Sequence, residues 1–360
     1  MRSPKYSKSI NRDFSVTLNK RVYAYFKENE ITTQAGPIMF GKTVFLFGVY
    51  SFLYLFIISN QISSLPFLFA LWCLIGLVQS FIGMSIMHDA VHGAYTKNKI
   101  YEALLHIPII AIGVEPKIWH FEHNVLHHNY PNIDGIDQDI NPRILFRFTK
   151  HQPRHWYHRF QHIYATFLYS FMVIEWLTVK DFIKVGKFYR MGLISNQTKA
   201  AFLVLGILIK KLIFYLVFLI VPLHVLPFDS WNIIGMFFTM LVTAGVSLTI
   251  VFQLAHVVPM CKTERDSSEI ENQSWHRHQM ETTANFAHDN KILTYLIGGL
   301  NYQIEHHLFP KICHSHYPAI SKIVKQTAIE FGTPYHYDKT FIGAIRSHYR
   351  LLNNLGKDDC

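Results

Sequence analysis

Four apolar stretches dominate the chain, each long enough to cross a hydrocarbon core of about 30 Å: Lys42 to Ser59, Leu65 to Met87, about Ile209 to Leu226, and about Ile233 to Ala255. They pair as two hairpins, because only Asn60 to Ser64 separates the first two and only Pro227 to Trp231 the last two. Neither connection holds a Lys or Arg, whereas residues 1 to 42 carry eight basic side chains against three acidic ones. The positive-inside rule therefore predicts both termini in the cytoplasm and both short turns outside. The expected fold is all-α: a multi-pass integral membrane protein with four transmembrane helices in two hairpins. Residues 1–41 read as a cytoplasmic N-terminal segment, and 42–360 as one membrane domain whose segments 88–200 and 256–360 form a cytoplasmic helical cap. Two weaker apolar stretches, Tyr101 to Val114 and Ile163 to Leu177, are short for spans and are expected to lie at the interface or against the bundle.

Composition supports the membrane reading: half of the 360 residues are hydrophobic, and 16% charged is low for a soluble protein. The net charge of +10 does not point to nucleic acid, because the bases are spread along the chain without a helix-turn-helix, zinc-finger or RNA-binding signature. Anionic lipid and acidic substrates account for it better. No apolar core of signal-peptide type stands at the N-terminus, and no repeat or low-complexity linker suggests a second domain. The four cysteines lack CxxC spacing, which argues against both a disulfide framework and a zinc ribbon. The 22 histidines change the picture, because they cluster.

With the expected topology, the second span ends at His88 and the fourth at His256, so one membrane face collects most imidazoles. "HDAVH" places His88 and His92 four residues apart on one helix face. In "HNVLHH", His123 and His127 share a face, and on an α-helix His128 stands about 100° around it, a layout that could bridge two ions. "QIEHH" repeats the layout with Gln303, His306 and His307. Eight imidazoles, His88, His92, His123, His127, His128, His256, His306 and His307, are too many for one ion and suit two. Nitrogen donors alone leave Fe, Zn, Cu and Ni open. A paired site beside the hydrocarbon phase favours oxygen chemistry on a lipid, with iron first.

These three boxes, in this order and together with a solitary histidine after the fourth span, resemble the membrane fatty acid desaturase family. "NIDGIDQDI" and "NYQIEHHLFPKICHSHYPAI" resemble its bacterial branch related to linoleoyl-CoA desaturase, and the similarity runs from about residue 40 to 335. The resemblance implies a di-iron centre held by the eight histidines named above, O2 as co-substrate, and a bacterial inner-membrane location with the site on the cytoplasmic side. The family's front-end branch, which inserts a cis double bond between an existing one and the carboxyl end, is similar in having Gln as the first residue of the last box. Gln303 is thus a candidate catalytic residue: an amide oxygen binds iron, or iron-bound water, more weakly than imidazole and would leave one position labile.

Other residues rank lower. His120 shares a face with His123 but precedes the family's box. His151, His155, His158 and His162 form a helical stripe, yet Arg154 and Arg159 interleave with them, which suits a surface meeting headgroups, a carrier phosphate or an electron donor better than a cation. "DGIDQD" lacks the twelve-residue calcium pattern and reads as a turn capped by Asp134, Asp137 and Asp139. Trp275, Thr282 and Asn285 are candidates for a substrate path or for support of the ligands, and His314 and His316 read as helix-start or surface residues. Asp89 and Glu305, next to ligands, are expected to accept the far N–H of an imidazole.

The expected substrate is a fatty acyl-CoA or acyl-lipid, within membrane lipid and without nucleic acid. Each turnover needs two electrons from outside. The chain lacks the HPGG heme motif of the cytochrome b5 domain fused to many front-end relatives, so a separate donor of ferredoxin or cytochrome b5 type is expected. Two other functions share parts of the pattern. A membrane di-iron hydroxylase or oxygenase of lipid or hydrocarbon would use comparable boxes, and a metal or proton transporter would place histidines nearer the bilayer midplane.

Overall fold

Pro37 at a helix N-terminus, followed by a run of Phe, Leu, Val and Tyr, forms a helix that stops where Asn60 takes a left-handed backbone conformation. In the computed structural model, which describes residues 5–7, 9–98, 100–102, 104–105, 113–141, 144–265 and 270–357, this helix is α2 (Pro37–Ile58). An amphipathic helix, α1 (Arg12–Glu28), precedes it. Ser64 then caps α3 (Leu65–Val91), its hydroxyl accepting the Phe67 amide. Two further long helices follow, α4 (Gln197–Val225) and α5 (Ser230–His256). These four helices of 22, 27, 29 and 27 residues are long and apolar enough to cross a membrane, against a need of about 20 residues. Strand is confined among the described residues to a two-residue parallel pair, Asn285–Phe286 with Tyr337–Asp338, and one isolated bridge.

Chain contacts divide the molecule into two compact units, one of residues 36–121 and 166–249, the other of 1–35, 122–165 and 250–360. The first holds the bulk of the four long helices. Within it, Gly76 on α3 lies directly against the Met240 backbone of α5, where any Cβ would collide with a carbonyl, the close approach that small residues permit between apolar helices. Gly245 similarly admits the Ser170 carbonyl. That carbonyl lies at the break between Trp156–Tyr169 and Met172–Arg190, which bend by 62°. The expected apolar helix over 163–177 is therefore broken, and its Ser170 end packs against α5. The stretch from Tyr101 to Val114 lies largely outside the described residues.

α4 begins at Gln197, well before the Ile209 that hydropathy suggests, where the Asn196 side chain caps it by accepting the Lys199 amide, and two of its lysines are neutralised by partners distant in sequence. Lys211 is buried, with its ammonium 2.9 Å from Asp181 Oδ2 and donating also to the carbonyls of Trp176 and Gly113. Lys210 pairs with Glu115. Removing one member of a buried pair strands the other charge. Lys211→Met should therefore lower stability by about 3–5 kcal/mol, and the double variant Lys211→Met/Asp181→Leu should recover most of the loss. A thermal melt in detergent reads both, and an unchanged single variant would contradict the pairing.

The second unit is built on another pattern. Phe14, Leu18, Val22 and Phe26 recur every four residues on α1 and pack with Ile320, Val324 and Ala328 of a later helix, Tyr317–Glu330. The same core continues into Tyr302, Ile304, Leu308 and Phe309, so the "QIEHH" segment rests on a fixed hydrophobic floor.

Candidate metal centre

The second unit brings six of the expected ligands together. His123 and His127 lie on a helix, His120–His127, that is π-helical rather than α-helical. Its i→i+5 hydrogen bonding is carried by the amide of His128, which donates to the His123 carbonyl at 2.9 Å. This corrects the expected layout. On an α-helix His128 would turn about 100° away; on the π-helix His127 and His128 flank His123, with ring centroids 5.2 and 4.6 Å from it. The Nε2 atoms of His123 and His128 are 3.2 Å apart, close to the roughly 3.0–3.4 Å expected of two nitrogens on one cation at about 2.1 Å.

His256 arrives from the C-terminal end of α5. His306 and His307 arrive on one helical turn, Gln303–Leu308, after a turn in which Gly298 and Gly299 have φ of 64° and 65°. Gly299 is required there on two counts, since a Cβ would sit 2.9 Å from that of His314 and its φ disfavours any side chain. The ligating atoms of His127, His256 and His307 all lie within 4.8 Å of one another, and so do those of His128, His306 and His307. His307 belongs to both sets.

Protonation states follow from the outer partners. His127 Nδ1 lies 3.0 and 3.1 Å from the two oxygens of Asp137, so it donates to the carboxylate. His256 Nδ1 faces the Thr282 carbonyl at 3.2 Å and must also be the donor. Gln279 Nε2 donates to the His128 carbonyl, which turns its Oε1 toward His307 Nδ1 at 2.8 Å as acceptor. In all three rings Nδ1 is committed outward, and a neutral ring then keeps its lone pair on Nε2. The Nε2 of His307 is buried with no hydrogen-bond partner among the described residues. Such an atom is costly in an apolar interior unless a cation uses its lone pair. Burial, reinforced by His128, His256 and the other rings, drives the pKa of His307 far below the usual range, which keeps it a neutral donor. Burial acts in the same direction on His127, but Asp137 and then Asp139 outweigh it and raise its pKa to about 9. The donor set therefore fits a metal: imidazoles crowded at ligand spacing, with a carboxylate behind His127 that strengthens its ring as a donor once a cation takes the place of the Nε2 proton.

His88 and His92 are buried in the first unit at the end of α3, after a π-turn at Gly83–Met87, with ring centroids 4.7 Å apart and Trp119 edge-on to both. His120 is exposed and joins none of the clusters among the described residues. Gln303 is buried at the start of its turn, and its Nε2 has no hydrogen-bond partner among the described residues. In the 151–162 stripe His158 has both nitrogens used within the protein, Nδ1 accepting the His155 amide and Nε2 donating to the Ile144 carbonyl. His316 stands at the start of the helix that begins at Tyr317, with its Nε2 3.3 Å from the Gln34 carbonyl rather than on the helix's own amides.

The carboxylate expectation is half corrected. Glu305 meets Asn285 Nδ2 at 2.8 Å and Tyr335 Oη at 2.9 Å rather than an imidazole, and burial raises its pKa to about 7 against those two hydrogen bonds. The imidazole partner is Asp137, fully buried in the aspartate turn, where it also accepts the amides of Asn132 and Asp139. Asn132, in a left-handed conformation, donates to the carbonyls of His256, Lys262 and Thr282 and so ties the second box to the end of α5. Gln279 and Asn132 carry no sequence signal of these roles; for Asp137 the signal is an aspartate-rich turn ten residues after a box histidine.

Comparison with known proteins agrees with this chemistry. Residues 63–339 match the family model described as fatty acid desaturase. The chain is 34% identical over 359 residues to the sn-1 linoleoyl-lipid 6-desaturase of Arthrospira platensis, covering 97% of this chain and 94% of that protein. It is 33% identical over 355 residues to the enzyme of the same name from Synechocystis sp., covering 96% of each. It is also 33% identical over 358 residues to the acyl-lipid (8-3)-desaturase of Physcomitrium patens, covering 98% of this chain and 73% of that protein. Four apolar helices of membrane-crossing length, a nest of buried imidazoles and relatives aligned over nearly the whole of this chain lead to one conclusion: the chain belongs to the fatty acid desaturase family.

Proposed function

We propose that the protein is an oxygen-dependent, front-end acyl-lipid desaturase that inserts a cis double bond between an existing one and the carboxyl end of a fatty acyl chain. The observation carrying this reading is the pair of three-imidazole sets sharing His307, with the outer nitrogens of His127, His256 and His307 already committed to acceptors. The lipid headgroup is preferred over CoA because the relatives named above act, by their names, on acyl-lipid and linoleoyl-lipid. Two iron ions would be held by His88, His92, His123, His127, His128, His256, His306 and His307, the first two assigned by the motif they share with the family. Bound there, the irons would supply the activation of O2 that abstraction of hydrogen from a methylene chain requires.

The chain's own residues do the rest. Asp137, the Thr282 carbonyl and Gln279 hold three rings in one tautomer and aim them. Burial of all six imidazoles of the second unit excludes bulk water from them. Gln303, at the head of the last box, leaves one position weakly held. The two electrons of each turnover come from a separate acidic carrier of ferredoxin or cytochrome b5 type, attracted by a chain of net charge +10. Both termini and the site face the cytoplasm, at a bacterial inner membrane.

The deciding experiment is expression in a host fed defined unsaturated fatty acids, followed by location of new double bonds in its lipids. New bonds on the carboxyl side of an existing one are expected. Hydroxylated products, or bonds on the methyl side, overturn the reading. Within that assay, Gln303→Ala should cut conversion about tenfold or more, and wild-type conversion together with wild-type iron content would remove Gln303 from the mechanism.

A further inference from the structure

Residues 144–163 hold five large apolar side chains in the open: Ile144 is 66% exposed, Leu145 51%, Trp156 76%, Phe160 41% and Ile163 68%. Trp156, Phe160 and Ile163 all stand exposed on the helix that begins at Trp156 with a 3-10 turn and continues as an α-helix from Gln161. Other residues of that helix lock it to the protein. Gln161 accepts the Arg147 amide at 2.9 Å and donates to the carbonyls of Arg147 and Leu352 at 3.1 and 2.7 Å, and Gly356 lies against the His158 backbone. The loop carrying Ile144 and Leu145 is fastened beside the helix. Tyr157 Oη and His158 Nε2 donate to the Ile144 carbonyl at 2.8 and 3.0 Å, and Tyr164 Oη donates to the Leu145 carbonyl at 2.8 Å. The backbone is thus satisfied from within while the side chains are left outside, in a rigid apolar knuckle.

Its charge is one-sided. No Asp or Glu occurs between residues 140 and 174, while Lys150, Arg154 and Arg159 are all exposed, and the Arg159 guanidinium sits 4.5 Å from the Phe160 ring centroid. Apolar and aromatic side chains ringed by cations at their polar edge match the acyl region and phosphate layer of an anionic leaflet. A leaflet is also the apolar partner that a chain with four membrane-length helices always has at hand. We infer that this knuckle inserts into the membrane interface and selects anionic phospholipid, with Ile144, Leu145, Trp156, Phe160 and Ile163 among the acyl chains and Lys150, Arg154 and Arg159 on the phosphates.

The test uses the full chain, purified, in nanodiscs of phosphatidylcholine alone or mixed with phosphatidylglycerol, and is independent of turnover. An environment-sensitive fluorophore is placed on Ile163→Cys or Ile144→Cys, in a background with Cys73 and Cys360 changed to serine; Cys261 and Cys313 are buried. Blue-shifted emission quenched by doxyl-labelled lipid is expected at both positions, with stronger quenching in phosphatidylglycerol. Arg154→Gln/Arg159→Gln should abolish that increase and keep the quenching in phosphatidylcholine. Water-like, unquenched emission at both positions overturns the inference and leaves the face to a protein partner. Quenching that ignores lipid charge and the double substitution overturns the selection of anionic lipid.

Discussion

His307→Ala is expected to abolish desaturation, with a fall of more than about 100-fold, and to reduce bound iron to no more than half the wild-type amount. His307 is common to both three-imidazole sets, so its loss opens both at once. The ring is also prepared for a cation: Gln279 fixes its tautomer from outside, and its inner nitrogen has no hydrogen-bond partner among the described residues. His256→Ala is the informative companion, because His256 belongs to one set alone among those described. It should lose less iron than His307→Ala. Elemental analysis of the purified variants, with circular dichroism to confirm that the helices persist, decides the matter. A His307→Ala protein that is folded and carries wild-type iron would sink the shared-ligand assignment.

The helices that carry the site were legible because span length and apolar run are properties of local sequence. α2 and the turn to α3 fall close to where hydropathy places them. Boundaries were lost where burial and capping carry a helix past its apolar run. α3 runs on to Val91 through His88 and Asp89, both buried, and α4 begins at Gln197, where the Asn196 side chain caps it ahead of the most apolar stretch. The histidine clusters were legible as spacings, but their geometry was not. Reading "HNVLHH" with an α-helical period separates His128 from His123, whereas the π-helix joins them, and no residue in the segment announces that change of period. The supporting residues were the least legible. Adjacency in sequence pointed to Glu305, which serves Asn285 and Tyr335, while the carboxylate behind His127 lies ten residues away across a turn.

That carboxylate makes the second strong prediction. Asp137 is fully buried and its two oxygens accept His127 Nδ1, the Asn132 amide and the Asp139 amide. Asp137→Asn keeps the shape but replaces one acceptor with a donor, which must then face an N–H. Leaving such a group unsatisfied costs about 1–3 kcal/mol, so the variant should melt at lower temperature. The larger effect falls on the ring. Without the negative charge His127 loses the partner that raises its basicity, and loss of such an outer partner weakens metal binding by about 10–100-fold. Activity of Asp137→Asn should therefore fall at limiting iron and recover substantially when Fe(II) is raised, a rescue that simple misfolding does not give. Asp139→Asn should show a smaller change, since Asp139 is 3.4 Å from His127 and its side chain is 31% exposed, where solvent screens it. Iron titrations of the metal-depleted proteins provide the comparison. Equal affinity in wild type and Asp137→Asn would reduce Asp137 to a turn cap, and the imidazoles would have to be oriented by packing and by Gln279 and Thr282 alone.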